Sequence, residues 1–168
     1  MSPFRPDLVD CWVFRVTLSA RGVEQLEILL LRRAPGRILP GLWQCVSGSL
    51  EADERVAVAA LREVEEETGF GPDAIVGFYD LDLVNQFHEP SVDAVMTSAV
   101  FAARVDADAE PTLSHEHDGA RWVPVDDAFD EVIWPGYRTA IDRVRHDLAD
   151  AERATWFALT LDGARAIE

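Results

Sequence analysis

Large apolar and β-branched residues crowd residues 10–18 (Asp-Cys-Trp-Val-Phe-Arg-Val-Thr-Leu) and 26–32 (Leu-Glu-Ile-Leu-Leu-Leu-Arg), which predicts two strands. The polar stretch 19–25, with Gly22 inside it, reads as their hairpin connection. Pro35, Gly36, Pro40 and Gly41 punctuate a loop. A short apolar run over 42–46 then leads to Ser47 and Gly48. From Glu54 to Thr68 the pattern turns helical, and Gly69 stands where a helix commonly ends. Two longer extended runs, 75–88 and 92–105, are separated by the turn signal Glu89-Pro90-Ser91. Residues 106–118 are polar and acidic, hence a loop. A last strand is predicted over 120–123 and helices over 125–132 and 136–148, with Pro135 suited to a helix start. In the tail, Trp156-Phe157-Ala158-Leu159 reads as a further strand or a docking segment. Strands before, between and after helices indicate a layered mixed structure with no boundary that would split it.

At 168 residues the chain suits one domain over 1–168, with 151–168 as a tail of unassigned role. Hydrophobic residues at 48% and charged residues at 27% fit a globular protein. Charge changes the picture more: 15 basic against 31 acidic residues give −16. Such a surface repels phosphate backbones and anionic membranes, so neither nucleic acid nor membrane is expected as a partner. A small phosphorylated substrate would need a divalent cation to neutralise it. Cys11 and Cys45 read as buried reduced thiols, with one bridge as the alternative. The N-terminal stretch lacks a signal-peptide pattern, and no apolar run approaches the roughly 20 residues of a membrane span. A cytoplasmic location is expected.

The helix over 54–68 carries the chemistry. Ala57, Ala60, Leu61, Val64 and Thr68 share one arc, suited to packing on a sheet. Glu63, Glu66 and Glu67 fall on a different arc of about 100°. Three carboxylates so spaced repel one another unless a cation lies between them. Hard divalent ions such as Mg²⁺ take oxygen ligands of this kind and commonly bridge to phosphate. The three acids alone leave open a solvated face with Arg62 paired to Glu66.

Gly48, Glu54, Arg62, Glu63, Val64, Glu66, Glu67, Gly69 and Phe70 fill every specified position of G-x5-E-x7-R-E-U-x-E-E-x-G-U, where U is a bulky apolar residue. The segment thus resembles the Nudix box. That resemblance implies an α/β fold, a Nudix-type α/β/α sandwich with a mixed β-sheet. It implies hydrolysis of a nucleoside diphosphate linked to another moiety, with Mg²⁺ or Mn²⁺. By matching positions, Glu63 and Glu67 are implied as principal metal ligands and Glu66 as ligand or auxiliary. The main-chain carbonyl of Gly48 is similar to a further ligand, and in some members the position of Glu63 is the general base. Glu54 and Arg62 are expected to hold the box together by an ion pair.

Outside the box the chain resembles dihydroneopterin triphosphate diphosphatases and related dATP pyrophosphohydrolases, in residues 29–33, 42–51, 115–123 and 134 to about 144. As in that branch, Trp43-Gln44 precedes Ser47-Gly48 in place of Pro-Gly-Gly. The loop 33–41 departs from it, and the tail after 150 has no counterpart. Glu116 is implied as a third metal ligand or base, with a surface acid as the alternative. His115 and His117 read as phosphate contacts, as an acid–base pair, or as exposed loop histidines. Arg32 and Arg33 are candidates for substrate phosphates or for surface ion pairs. Trp43, Phe87 and Trp134 are candidates for stacking on a flat heterocycle or for the core, and Gln44 and Asn85 for polar contacts to it. The expected activity is metal-dependent cleavage of a phosphoanhydride in dihydroneopterin triphosphate or dATP, releasing pyrophosphate. Hydrolysis of dinucleoside polyphosphates or ADP-ribose-like substrates, or a non-catalytic Nudix-fold binding module, are the alternatives.

Overall fold

The computed structural model describes residues 5–167; the first residues of the N-terminal stretch read above lie outside the described residues. β1 (Leu8–Leu18) and β2 (Glu24–Arg33) form the expected hairpin, with Phe14 opposite Ile28 and Leu18 opposite Glu24. The other half of β1 has a different neighbour. Its residues Leu8 to Cys11 pair antiparallel with β4 (Val46–Ser49), so the sheet forks along one edge of β1. The opposite edge of β1 runs parallel to β6 (Ala94–Val105), itself paired along most of its length with β5 (Ile75–Glu89). β2 carries β3 (Trp43–Gln44) farther along the edge it gives to β1, and β7 (His117–Pro124) along its opposite edge. β8 (Ala158–Leu159) closes the edge at β5, giving eight strands in one mixed sheet among the described residues.

Alternation along the strands sends apolar residues to both faces. Val9, Cys11, Val13, Leu29 and Leu31 pack with Ala59, Ala60 and Val64 of α1 (Val56–Thr68). Trp12, Phe14, Ile28 and Leu30 pack on the other face, against α2 (Val125–Glu131), α3 (Pro135–Arg143) and α4 (Ala151–Phe157). Helices on both faces of a mixed sheet make the expected α/β/α sandwich. Cys11 and Cys45 are both buried thiols, without a bridge.

The helix expected from about Glu54 to Thr68 is present as α1 from Val56, with the Glu54 carboxylate just before it accepting the Glu51 N–H (3.1 Å) and bonding Arg62. The helix expected over 136–148 is present as α3 followed by a π turn over Val144–Leu148 that keeps Val144 and Leu148 buried. The tail holds a helix that the strand reading missed. Asp150 caps it, its side chain accepting the N–H groups of Glu152 and Arg153, both at 2.9 Å. The strand survives only as β8, where Leu159 sits opposite Phe78.

Candidate active site

Gly48, in β4, lies in register with Val9 and faces α1. A Cβ at this position would stand 1.9 Å from the carboxyl carbon of Glu63 and 2.1 and 2.3 Å from its oxygens. Only glycine lets this strand and this carboxylate share the space. Next to Glu63, Arg62 grips Glu54 with two N–H groups at 2.8 and 3.0 Å. The same guanidinium donates to Glu63 at 2.7 Å, to the Ser49 carbonyl at 2.9 Å and to Glu66 at 3.3 Å. The expected Glu54–Arg62 pair is therefore present, as one part of a staple joining loop, strand and helix. The Arg62 hydrogen bonds hold Glu54 below the usual carboxylate range.

The three helix acids occupy three environments. Glu66 projects toward water, with 57% of its side chain exposed. Glu63 is largely covered; burial raises its pKa while Arg62 works the other way. Glu67 is buried, its side chain 4% exposed, which excludes the alternative of a solvated face for this residue. The cause is the loop after β6. Its Thr112 N–H bonds the Thr68 carbonyl at 2.8 Å, and its Ser114 N–H bonds the Glu67 carbonyl at 3.3 Å, laying the loop over the helix end. Burial first, then the negative charges of Glu63 and Glu116, push Glu67 up to about 9; the Ser47 N–H and Arg33 oppose this. Its Oε2 has no hydrogen-bond partner among the described residues.

Glu116 lies near enough to this pair for its negative charge to raise both of their pKa values. It is half-exposed and ion-paired with Arg37 at 3.0 Å, and its carbonyl accepts the Ala34 N–H at 2.9 Å. The same Arg37 meets His115 Nε2 at 2.8 Å. The loop 33–41 is thus clamped onto the segment that carries Glu116.

His115 and His117 do not form a pair. His115 belongs to Arg37, whereas His117 is buried, with 1% of its side chain exposed, which excludes the alternative of an exposed loop histidine for it. Burial and the nearby Arg33 lower its pKa. Gln44, expected against substrate, is buried too, between Arg33 and His117 at 3.3 Å each. Arg33 itself donates to Gln44 and to the Ile38 carbonyl, so it is engaged in holding the loop. Arg32 is different: half-exposed and ion-paired with Asp118 at 2.7 Å. Trp43 carries the guanidinium of Arg121 at 4.2 Å from its ring centre and that of Arg32 at 5.6 Å. Phe87 and Trp134 are exposed.

The strand reading passed over Asp10, a carboxylate buried in β1 and surrounded by Ser47, Ser98 and Asn85. Burial raises its pKa, and those three side chains partly offset the rise. Asn85 in turn abuts Gly136 so closely that a Cβ there would lie 2.4 Å from its Oδ1. An acid inside an otherwise apolar strand was the signal that could have found this group.

Among the described residues no three acidic or histidine side chains converge on one point as they stand, because Arg62 draws Glu63 and Glu66 aside. The residues nonetheless fit a hard divalent cation. The donors are carboxylates, a backbone strand is pressed against one of them, and a buried carboxylate oxygen lacks a partner.

A family model described as the NUDIX domain matches residues 13–144. The chain belongs to the NUDIX domain family. The Nudix box lies wholly within the matched residues, whereas α4 and β8 lie beyond them. Over 128 residues the chain is 38% identical to a protein named octanoyltransferase from Myxococcus xanthus, a match covering 75% of this chain and 34% of that one. The chain therefore spans about a third of the length of that curated relative. A structure described as a Nudix hydrolase from Listeria monocytogenes superposes with a TM-score of 0.69 at 24% identity, over 88% of this chain and 97% of that one. An Ap4A hydrolase of C. elegans gives 0.69 at 19% identity, over 86% and 98%. The dihydroneopterin triphosphate pyrophosphohydrolase of E. coli gives 0.62 at 22%, over 84% and 96%. These likenesses establish the Nudix fold. Nudix hydrolases as a family generally use divalent metals and act on small phosphorylated substrates.

Proposed function

We propose that this Nudix chain hydrolyses a phosphoanhydride bond of a nucleotide-like triphosphate, dihydroneopterin triphosphate or dATP, with release of pyrophosphate. The observation that carries the proposal is the Gly48–Glu63 contact beside buried Glu67, on a chain whose box is complete. The Gly48 carbonyl, Glu63, Glu66 and Glu67 would hold Mg²⁺ or Mn²⁺, with Glu116 as a further ligand. Such an ion, when bound, neutralises phosphate charge and acidifies a water molecule. Glu116 or Glu63 accepts the proton as the water oxygen bonds to an internal phosphorus and the anhydride bond breaks. Arg62 keeps Glu54, Glu63 and Glu66 in place, and Arg32 is the arginine free enough to exchange Asp118 for a substrate phosphate.

The branch assignment rests on Trp43-Gln44 before Ser47-Gly48 and on the E. coli enzyme among the neighbours. Trp134 is exposed and open to stacking on a flat heterocycle, while Gln44 and Asn85 are engaged with other side chains. Acyl transfer, the activity in the name of the Myxococcus relative, belongs to a protein of which this chain matches 34%. All fifteen basic residues here are arginine, and burial pushes both thiols far above their usual pKa, so neither a lysine amine nor a thiolate is offered for such chemistry. No helix among the described residues is long and apolar enough to cross a membrane. The −16 charge favours a small-molecule substrate over a nucleic-acid partner.

A panel of dihydroneopterin triphosphate, dATP, ADP-ribose and a dinucleoside polyphosphate, assayed with Mg²⁺, tests the reading. The pterin substrate should have the highest kcat/KM and release pyrophosphate. A best rate on ADP-ribose or the dinucleotide overturns the branch, and orthophosphate release overturns the point of attack.

A further inference from the structure

The buried chain of side chains behind Glu67 has a direction, and the direction fixes where a proton sits. Arg33 can only donate, so its Nη1, 3.3 Å away, must meet the oxygen of the Gln44 amide. The other end of that amide, Nε2, is then a donor, and it faces His117 Nε2 at 3.3 Å. Two N–H groups cannot point at each other, so His117 Nε2 accepts. The imidazole proton is therefore on Nδ1. Nδ1 looks at Glu67 Oε2, 3.8 Å away, with both side chains almost wholly buried. Both of these atoms lack any hydrogen-bond partner among the described residues. A donor and an acceptor are thus left unpaired, facing each other, and a movement of about 1 Å would bring them to ordinary hydrogen-bond distance.

The geometry points to Arg33, Gln44 and His117 as a positioning relay for Glu67: the relay fixes the His117 tautomer so that Nδ1–H holds Glu67 Oε2 and aims the carboxylate at a divalent cation. This deepens the proposed function, since it rests on Glu67 being a cation ligand. It reassigns Arg33 and Gln44 from substrate contact to support. Carboxylates that bind metals are commonly held by a hydrogen bond from behind, and removing such a partner typically weakens metal affinity by about 10–100-fold. The relay also supplies a reason for burying a histidine and a glutamine at the end of β3 and the start of β7, where apolar residues would pack at lower cost.

Two measurements test it. The first is the long-range ¹H–¹⁵N spectrum of the His117 ring in the cation-free wild-type protein, assigned through bonds to its own backbone. The proton should be on Nδ1; a proton on Nε2 overturns the relay, whatever the enzyme does. The second is Mn²⁺ affinity by calorimetry. His117→Asn places an amide nitrogen where Nδ1 was and should bind Mn²⁺ within about threefold of wild type. His117→Gln places it where Nε2 was and should lose about tenfold or more, as should His117→Ala. Equal affinities in all three, or retention by Gln and loss by Asn, overturn the proposal. Wild-type protein that binds no Mn²⁺ would instead refute the cation-dependent function, and the tautomer would still be readable.

Discussion

Gly48 and the Glu63 carboxylate occupy one another's space so fully that a single methyl group at position 48 would fall 1.9 Å from the Glu63 carboxyl carbon. The clashing atoms are the far end of a side chain able to swing away. Gly48→Ala should therefore cost about 1 kcal/mol of stability or less, because β4 accepts alanine and only Glu63 must move. Activity should fall about a hundredfold, since a catalytic group displaced by roughly 1 Å can lose that much. Parallel urea titrations and kcat measurements separate the two; a variant that unfolds rather than merely slows would contradict this account of the contact.

Glu67→Gln should lower kcat by about a thousandfold or more, since a lost metal ligand removes several kcal/mol of charge stabilisation. The fold should survive, because the substitution removes a carboxylate that burial and two neighbouring acids already disfavour as an anion. Thermal unfolding and single-turnover rates of the same preparation check both halves.

The raised pKa of Glu67 makes metal-free stability pH-dependent in a stated direction. Folded protein holds a proton on Glu67 up to about 9, whereas the unfolded chain releases it near 4.5. Stability linked to this group is complete below the lower value and is lost as pH rises through the upper one. His117 acts oppositely: its pKa is lowered, so its contribution grows as pH rises toward 6.5 and is complete above that. Between about pH 7 and 9 the glutamate should dominate, and the melting temperature of metal-free protein should fall. Glu67→Gln, or saturating Mg²⁺, should flatten the slope. A melting temperature that rises across this window would contradict the assignment.

Arg62→Ala strips partners from Glu54 and Glu63, each with 12% of its side chain exposed. Unpairing charges at this depth should cost about 2 kcal/mol, less than a fully buried pair because Arg62 is partly solvated. Arg62→Lys should recover only part of this, since one ammonium cannot span Glu54, Glu63 and the Ser49 carbonyl together. Full recovery by lysine in chemical denaturation would show that charge alone suffices.

Much of this arrangement was legible in the chain. The spacing of Gly48, Glu54, Arg62 and the three glutamates located the box, and Gly69 marked its end with φ of 75°. The forked sheet, the burial of Glu67 and the relay behind it were not legible, for a shared reason. A helical wheel places Glu63, Glu66 and Glu67 on one arc, but which edge of that arc faces inward depends on the loop that lays Thr112 and Ser114 over the helix end. His117 was similarly ambiguous in an acidic loop and is defined only by Gln44, 73 positions earlier. The α4 helix was less legible for a local reason: the aromatic run Trp156-Phe157 that ends it suits a strand equally well, although Asp150 stands as a capping residue before it.

Glu116 and Asp118 are two positions apart and answer to different partners. Glu116→Gln should reduce kcat more than it raises KM, because its charge is felt at Glu63 and Glu67. Asp118→Asn, which loses only a half-exposed pair with Arg32, should be mild by comparison. Equal, small effects in steady-state kinetics would return Glu116 to the surface.

The central claim is that the acidic helix of this chain works through a divalent cation to cut a phosphoanhydride. Phosphorus NMR of dihydroneopterin triphosphate incubated with the protein tests it most directly, run with Mg²⁺, with excess EDTA, and with Glu67→Gln. The account predicts a monophosphate and pyrophosphate with Mg²⁺ alone, and near-silence in the other two tubes. Undiminished turnover in EDTA, or in the Glu67→Gln variant, would contradict it.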